Sequence, residues 1–192
     1  MPAALDRQMT NEHDDGDAAL VPAARADPAA FATLYDRYVD RIYAYLRLQV
    51  AQDADAADLL QSVFLQAYNS LPRYRGDGTY IVAWLFRIAR NAVIDARRRH
   101  KPALSWESVP DALHPPGGDD PEAHALRREE HSRLQALIDA LDDRERDLLV
   151  LRFTARLTIA EIAAVVGKSE AATQKKLYRI VQGLKEAYKH ES

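Results

Sequence analysis

Apolar residues recur at helical spacing along most of this chain, and only a few stretches interrupt the pattern. Asp27-Pro28 reads as an N-cap followed by Pro at the first helical position. Phe31, Leu34, Tyr35, Tyr38, Val39, Ile42, Tyr43 and Leu46 then follow on one helical stripe. A second helix is predicted from Asp55 to Leu71, with Leu59, Leu60, Val63, Phe64 and Ala67 inward. Pro72 and the stretch RYRGDGTY mark a loop. A third helix is predicted from Tyr80 to His100, with Ile81, Leu85, Ile88, Ala89, Ala92 and Ala96 on its buried flank. Helices resume over Pro121–Leu141 and Asp143–Phe153. The run LLVLRF would suit a strand in isolation, but the flanking RERD and the period favour helix.

The last helices carry the sharpest pattern. Ile159, Ile162, Ala163 and Val166 form a short apolar stripe, and Gly167 is suited to the left-handed conformation that ends a helix. Ser169 is a fitting N-cap for the next one. On a wheel of about 100° per residue, Thr173, Leu177, Ile180, Val181, Leu184 and Tyr188 gather on one side. Ala171, Ala172, Lys175, Lys176 and Arg179 gather on the other. Small residues allow close approach to a DNA groove, and Lys and Arg reach base edges and phosphates. The pair reads as a helix-turn-helix. The bland alternative is an amphipathic helix pair with a Gly turn, which many all-helical proteins contain.

Two segments lack periodicity. Residues 1–27 are polar and acidic and are expected to form a disordered arm. Residues 102–121 contain five prolines and two glycines and read as a flexible linker. The expected architecture is therefore all-α: a helical domain over 28–101 and a helix-turn-helix domain over 122–190, joined by that linker. Their relative placement is open. A flexible linker permits a compact free form and a spread form on a partner.

Composition sharpens this picture. Ala, Leu and Arg are abundant and Gly scarce, which favours helix over sheet. The chain of 192 residues has a net charge of −3, but the charge is segregated. Residues 1–30 hold six acids and two bases, or −4; residues 70–101 hold eight bases and two acids, or +6. Residues 102–130 hold seven acids and two bases, or −5; residues 168–189 hold six bases and two acids, or +4. Two basic blocks flanking an acidic one predict two anion-binding surfaces. The absence of cysteine excludes disulfides and thiolate metal sites, and fits a cytoplasmic location. The N-terminal stretch does not read as a secretory signal, and no apolar run approaches the ~20 residues of a membrane span.

The first basic block combines cations with aromatics. Trp84, Arg87, Asn91, Asp95 and Arg98 share a flank of the third helix, with Arg97, Arg98 and Arg99 at its C-terminal end. Cations there also suit the helix dipole, and Asp95 can brace Arg98 or Arg99. The preceding loop supplies Arg73 and Arg75 for phosphates and Tyr74 and Tyr80 as stacking platforms. That mixture suits an unpaired base drawn from a stack.

Both halves together resemble the bacterial RNA polymerase sigma factors of the extracytoplasmic-function group. FATLYDRYVDRIYAYL, DAADLLQSVFLQAY, LPRYRGDG and AWLFRIARNAVIDARRR are similar to that family's promoter-melting domain. LDDRERDLLVLRFTARLTIAEIAAVVGKSEAATQKKLYRI is similar to its C-terminal helix-turn-helix domain. The resemblance implies a subunit that directs core RNA polymerase to promoters and helps open the duplex. It implies that Asp58, Gln61 and Phe64, in the pattern D-x-x-Q-x-x-F, bind the clamp helices of the largest polymerase subunit. It assigns Arg73, Tyr74, Arg75, Tyr80, Trp84, Arg87, Asn91 and Arg98 to the minus-ten element. It assigns Ser169, Ala171, Ala172, Lys175, Lys176 and Arg179 to the minus-thirty-five element. The flap of the second-largest subunit and an anti-sigma factor are further implied partners, and the linker is implied to run toward the polymerase active-site channel. No cofactor, metal, catalytic residue or membrane insertion is implied.

The chain departs from the family at named positions. Ala57 and Ser62 stand where Glu is frequent, Asp142 where Pro is, and Arg156 and Ala171 where Gly is. Thr173 and Lys175 replace Val and Ser. Thr173 falls on the core flank, where its methyl takes the place of Val. Lys175 falls on the DNA flank, where it is expected to alter the preferred promoter sequence. One rival reading is a dimeric helix-turn-helix regulator that binds a palindrome without polymerase. An enzyme finds little support: no G-x-S-x-G, no H-E-x-x-H and no phosphate-binding glycine loop occur, and the six histidines lack ligand spacing.

Overall fold

The computed structural model describes residues 14–76, 80–99, 130 and 132–190, which are helices and their connections with no strand among them. The linker 102–121, residues 1–13 and the loop tip 77–79 lie outside these residues. The elements are α1 (Asp14–Ala26), α2 (Pro28–Arg47), α3 (Asp53–Ser70), a 3-10 turn (Leu71–Arg73) and α4 (Ile81–Arg99). They continue with α5 (132–139), α6 (Asp143–Leu149), a π-helical turn (Val150–Thr154), α7 (Ile159–Val166) and α8 (Glu170–His190).

Local chemistry sets the boundaries. The Asp27 carboxylate accepts from the Ala29 amide at 2.9 Å, with Pro28 in the first turn of α2. Asp142, where the family favours Pro, caps α6 by accepting from Glu145 N at 2.7 Å. Thr158 and Glu161 form a reciprocal capping box at the start of α7. Gly167 ends α7 at φ 68°, as its lack of a Cβ permits. The Ser169 hydroxyl accepts from Ala172 N at 3.3 Å at the start of α8.

The arm expected to be disordered is helical from Asp14 to Ala26. Val21 and Ala24 bury themselves against α2, and Leu20 packs beside them. Acidic composition predicted an arm without a core. Three apolar residues on one side suffice once α2 offers a face to cover, a tertiary effect that composition does not register.

The α2 stripe is rotated slightly from its expected position. Leu34, Tyr38, Ile42, Tyr45 and Leu46 are buried, whereas Tyr35 is exposed. On α4 the buried arc is wider than expected, because Val82, Phe86 and Val93 are covered as well. The cause is a second neighbour. α4 packs on α2 and α3 with one side and on α7 with another. The buried side chains of both helical groups consequently form one continuous core, and the C-terminal helices close over the N-terminal ones.

Candidate nucleic-acid interface

The helix-turn-helix presents its surface as the periodicity predicts. Thr173, Leu177 and Ile180 are buried against α7 and α6, while Ala171, Ala172, Lys175 and Arg179 are exposed. Lys176 is half-buried and pairs with Glu145 of α6. It is thus tied to the domain's own frame, unlike Lys175 and Arg179. Tyr178, to which the helical pattern assigns no role, is 57% exposed on the same side as Lys175. Its position seven residues after Ala171 was the available signal. Arg156, where the family favours Gly, has φ 54° in the turn before α7. The backbone there takes the left-handed form that costs a non-Gly residue about 1–2 kcal/mol.

The second surface is built on α4 and the loop before it. Arg73, Arg75, Tyr80, Arg87, Asn91 and Arg98 are exposed. Tyr74 and Trp84 are half-buried, with their rings 5.1 Å apart and tilted by 51°. Tyr80 is therefore the open ring of the loop, and Tyr74 is part of its packing. Asp95 and Arg98 approach to 3.8 Å at i, i+3 spacing. Arg87 donates to the Ala164 carbonyl in α7, so this guanidinium bridges to the C-terminal helices.

On α3, Asp58 and Gln61 are exposed on one face. Phe64, grouped with them by the resemblance, is 5% exposed, its ring 4.5 Å from that of Tyr35. Its bulk fixes α3 against α2, so it does not itself face a partner. The exposed stripe continues instead through Leu65 and Tyr68, 64% and 44% exposed. Asp58, Gln61, Leu65 and Tyr68 follow at i, i+3, i+7 and i+10, which the helical period places together.

Polar contacts join the two helical groups. Asp147 on α6, buried, accepts from the Tyr45 hydroxyl at 2.8 Å and from Arg90 Nε at 2.7 Å. Burial first, then the negative charge of Asp147 and the hydrogen bond it accepts, hold the Tyr45 phenol well above its usual pKa, with Arg90 and Arg97 opposing. Arg97 reaches Gln49 and lies 3.7 Å from Asp143, and Arg41 donates twice to the Ala155 carbonyl at 3.1 and 2.8 Å. The sequence places Arg97 in the basic block expected to meet nucleic acid, with a helix end suited to the dipole as the alternative, and assigns Arg41, Arg90 and Asp147 no role. Nothing local marks them, since their partners lie far away in the chain.

Residues 34–102 match the family model described as Sigma-70 region 2, and residues 131–183 match Sigma-70, region 4. The ECF RNA polymerase sigma factor SigD of Mycobacterium bovis is 30% identical over 184 residues, covering 93% of this chain and 86% of that protein. The chain belongs to the ECF RNA polymerase sigma factors. As a sigma factor, it directs RNA polymerase to promoters. BldN of Streptomyces coelicolor, another ECF sigma factor, is 33% identical over 168 residues, which are 86% of this chain and 63% of BldN. CnrH, solved in complex with the cytosolic domain of CnrY, shares the fold with a TM-score of 0.65 at 23% identity, covering 92% of this sigma factor and 99% of CnrH. In this sigma factor, the two matched regions are the two helical groups that Asp147 joins.

Proposed function

We propose that this sigma factor binds core polymerase through the α3 stripe of Asp58 and Gln61, extended by Leu65 and Tyr68. Arg73, Arg75, Tyr80, Asn91 and Arg98 receive the melted minus-ten strand, with Trp84 and Tyr74 as their support. Ala171, Ala172, Lys175 and Arg179 enter the major groove of the minus-thirty-five element, with Tyr178 among them. Binding draws on phosphate contacts, base-edge contacts and capture of unstacked bases, and the chain makes no covalent change. The observation that carries this reading is the two-sided character of α8: its back is buried in the core and its small and basic front is open.

The compact arrangement is the resting form in this reading. Minus-ten and minus-thirty-five elements lie about 85 Å apart along B-DNA. A compact chain of this size is only ~40 Å across. One rigid closed body therefore cannot engage both elements, and the two groups separate on polymerase. An anti-sigma factor that stabilises the closed form is the expected regulator. No helix among the described residues is long and apolar enough to cross a membrane, and a cytoplasmic site of action is proposed with the polymerase.

In vitro transcription tests the reading. Core polymerase plus this chain is expected to yield transcripts from discrete promoters, with weak promoter binding by the chain alone. Tight polymerase-independent binding to a palindrome, with no specific transcripts from a promoter library, would favour the dimeric regulator.

A further inference from the structure

Helix α1 was given no part in function by the sequence, yet it reaches the loop that precedes α4. Its residues contact the 3-10 turn Leu71–Arg73. From its last turn, the Arg25 guanidinium carbon lies 5.7 Å from the centroid of the Tyr74 ring. Tyr74 in turn packs on Trp84. At the far end of that ring, a Cβ added to Gly76 would fall 2.2 Å from the Tyr74 hydroxyl oxygen. The tyrosine therefore occupies the space that any side chain at position 76 would need. Three elements thus hold one ring: α1 by a cation, α4 by an indole and the loop by a missing side chain. Exposed Arg73 and Arg75 flank it in sequence.

We propose that α1 is a working part of the minus-ten site, with Arg25 as a positioning residue that fixes Tyr74 against Trp84 so that the segment Leu71–Gly76 is pre-shaped for an unpaired base. This inference rests on the minus-ten reading of that loop. The ligand class is single-stranded DNA with a base free to stack. The attraction of a guanidinium to an aromatic face is modest at an exposed site, but it acts on a ring already packed between Trp84 and the Gly76 backbone. Pre-shaping lowers the ordering cost that a loose loop would incur on capture.

The test uses the full chain assembled with core polymerase, and two probes. One is a fork-junction DNA with a single-stranded minus-ten segment. The other is a duplex carrying the minus-thirty-five element alone. Arg25→Ala is expected to weaken fork-junction binding about threefold to tenfold and to leave duplex binding unchanged. Arg25→Gln, of similar reach without charge, should behave like Arg25→Ala, and Arg25→Lys should recover most of the loss. Tyr74→Ala should show at least the loss of Arg25→Ala, and the double variant should bind no worse than Tyr74→Ala, because Arg25 acts through Tyr74. Arg25→Gln binding like wild type while Tyr74→Ala is impaired overturns the role of Arg25. Additive losses overturn its action through Tyr74. Unimpaired Tyr74→Ala overturns the minus-ten reading beneath it.

Discussion

Thr173 shows what one atom can decide. It is 3% exposed on the core side of α8, and its hydroxyl oxygen has no hydrogen-bond partner among the described residues. A buried hydroxyl without a partner carries a desolvation cost of about 1–3 kcal/mol. Thr173→Val keeps the branched shape and removes that cost. The thermal midpoint of Thr173→Val is expected to rise by a few degrees, about 1 kcal/mol for a chain of this size, with minus-thirty-five preference unchanged. The helical wheel placed Thr173 on the core side; the orphaned hydroxyl became visible only with its neighbours in place. Arg156 is similar. The sequence marked it as a departure from Gly, and its φ of 54° supplies the physical reason that Gly is favoured there.

At the scale of elements, α3 and α8 each divide into a buried and an open face, and function follows the open one. Leu65, 64% exposed, lies between Gln61 and Tyr68 on the α3 stripe. Leu65→Asp is expected to weaken core-polymerase binding by about tenfold, or 1.4 kcal/mol, without a change in thermal midpoint. A pull-down titration paired with thermal denaturation checks both halves of that statement. On α8, Lys175→Ala is expected to change which base is preferred at one minus-thirty-five position. Uniform weakening across sequences would instead mark Lys175 as a phosphate contact, and binding-site selection separates the two. Periodicity located both helices and the α8 faces correctly. It failed on α4, where Val82, Phe86 and Val93 are buried outside the expected flank. A single apolar arc predicts one neighbour, and α4 has neighbours on two sides.

For the molecule as a whole, the decisive feature is the Asp147 carboxylate between Tyr45 and Arg90. Removing it strands a buried phenol and a guanidinium. Loss of one partner from such a pair costs about 3–5 kcal/mol when burial is complete; with the Arg90 side chain 25% exposed, about 2–3 kcal/mol is expected for Asp147→Ala. The radius of gyration in small-angle scattering should grow while far-UV helicity stays. An unchanged radius would show that the apolar contacts alone hold the groups together. The contact also has a pH signature. Tyr45 has its pKa raised in the folded state, so its contribution is complete below the unfolded phenol value of about 10. That contribution declines as pH climbs from there through the higher folded value. Scattering should accordingly report a compact form at neutral pH and an opening that starts only in strong alkali, and Tyr45→Phe should remove that dependence.

The order of apolar and polar residues was enough to determine the helices from α2 onward, the caps at Asp27 and Ser169, the left-handed Gly167 and the face of α8, because these depend on neighbours within a turn or two. The same order carried the family patterns of both halves. Only the tertiary structure decided that α1 forms, that α4 is covered twice and that Asp147 meets Tyr45, 102 residues away. A buried polar group takes whichever partner the fold delivers to it, and the rules of local spacing do not reach that far along a chain.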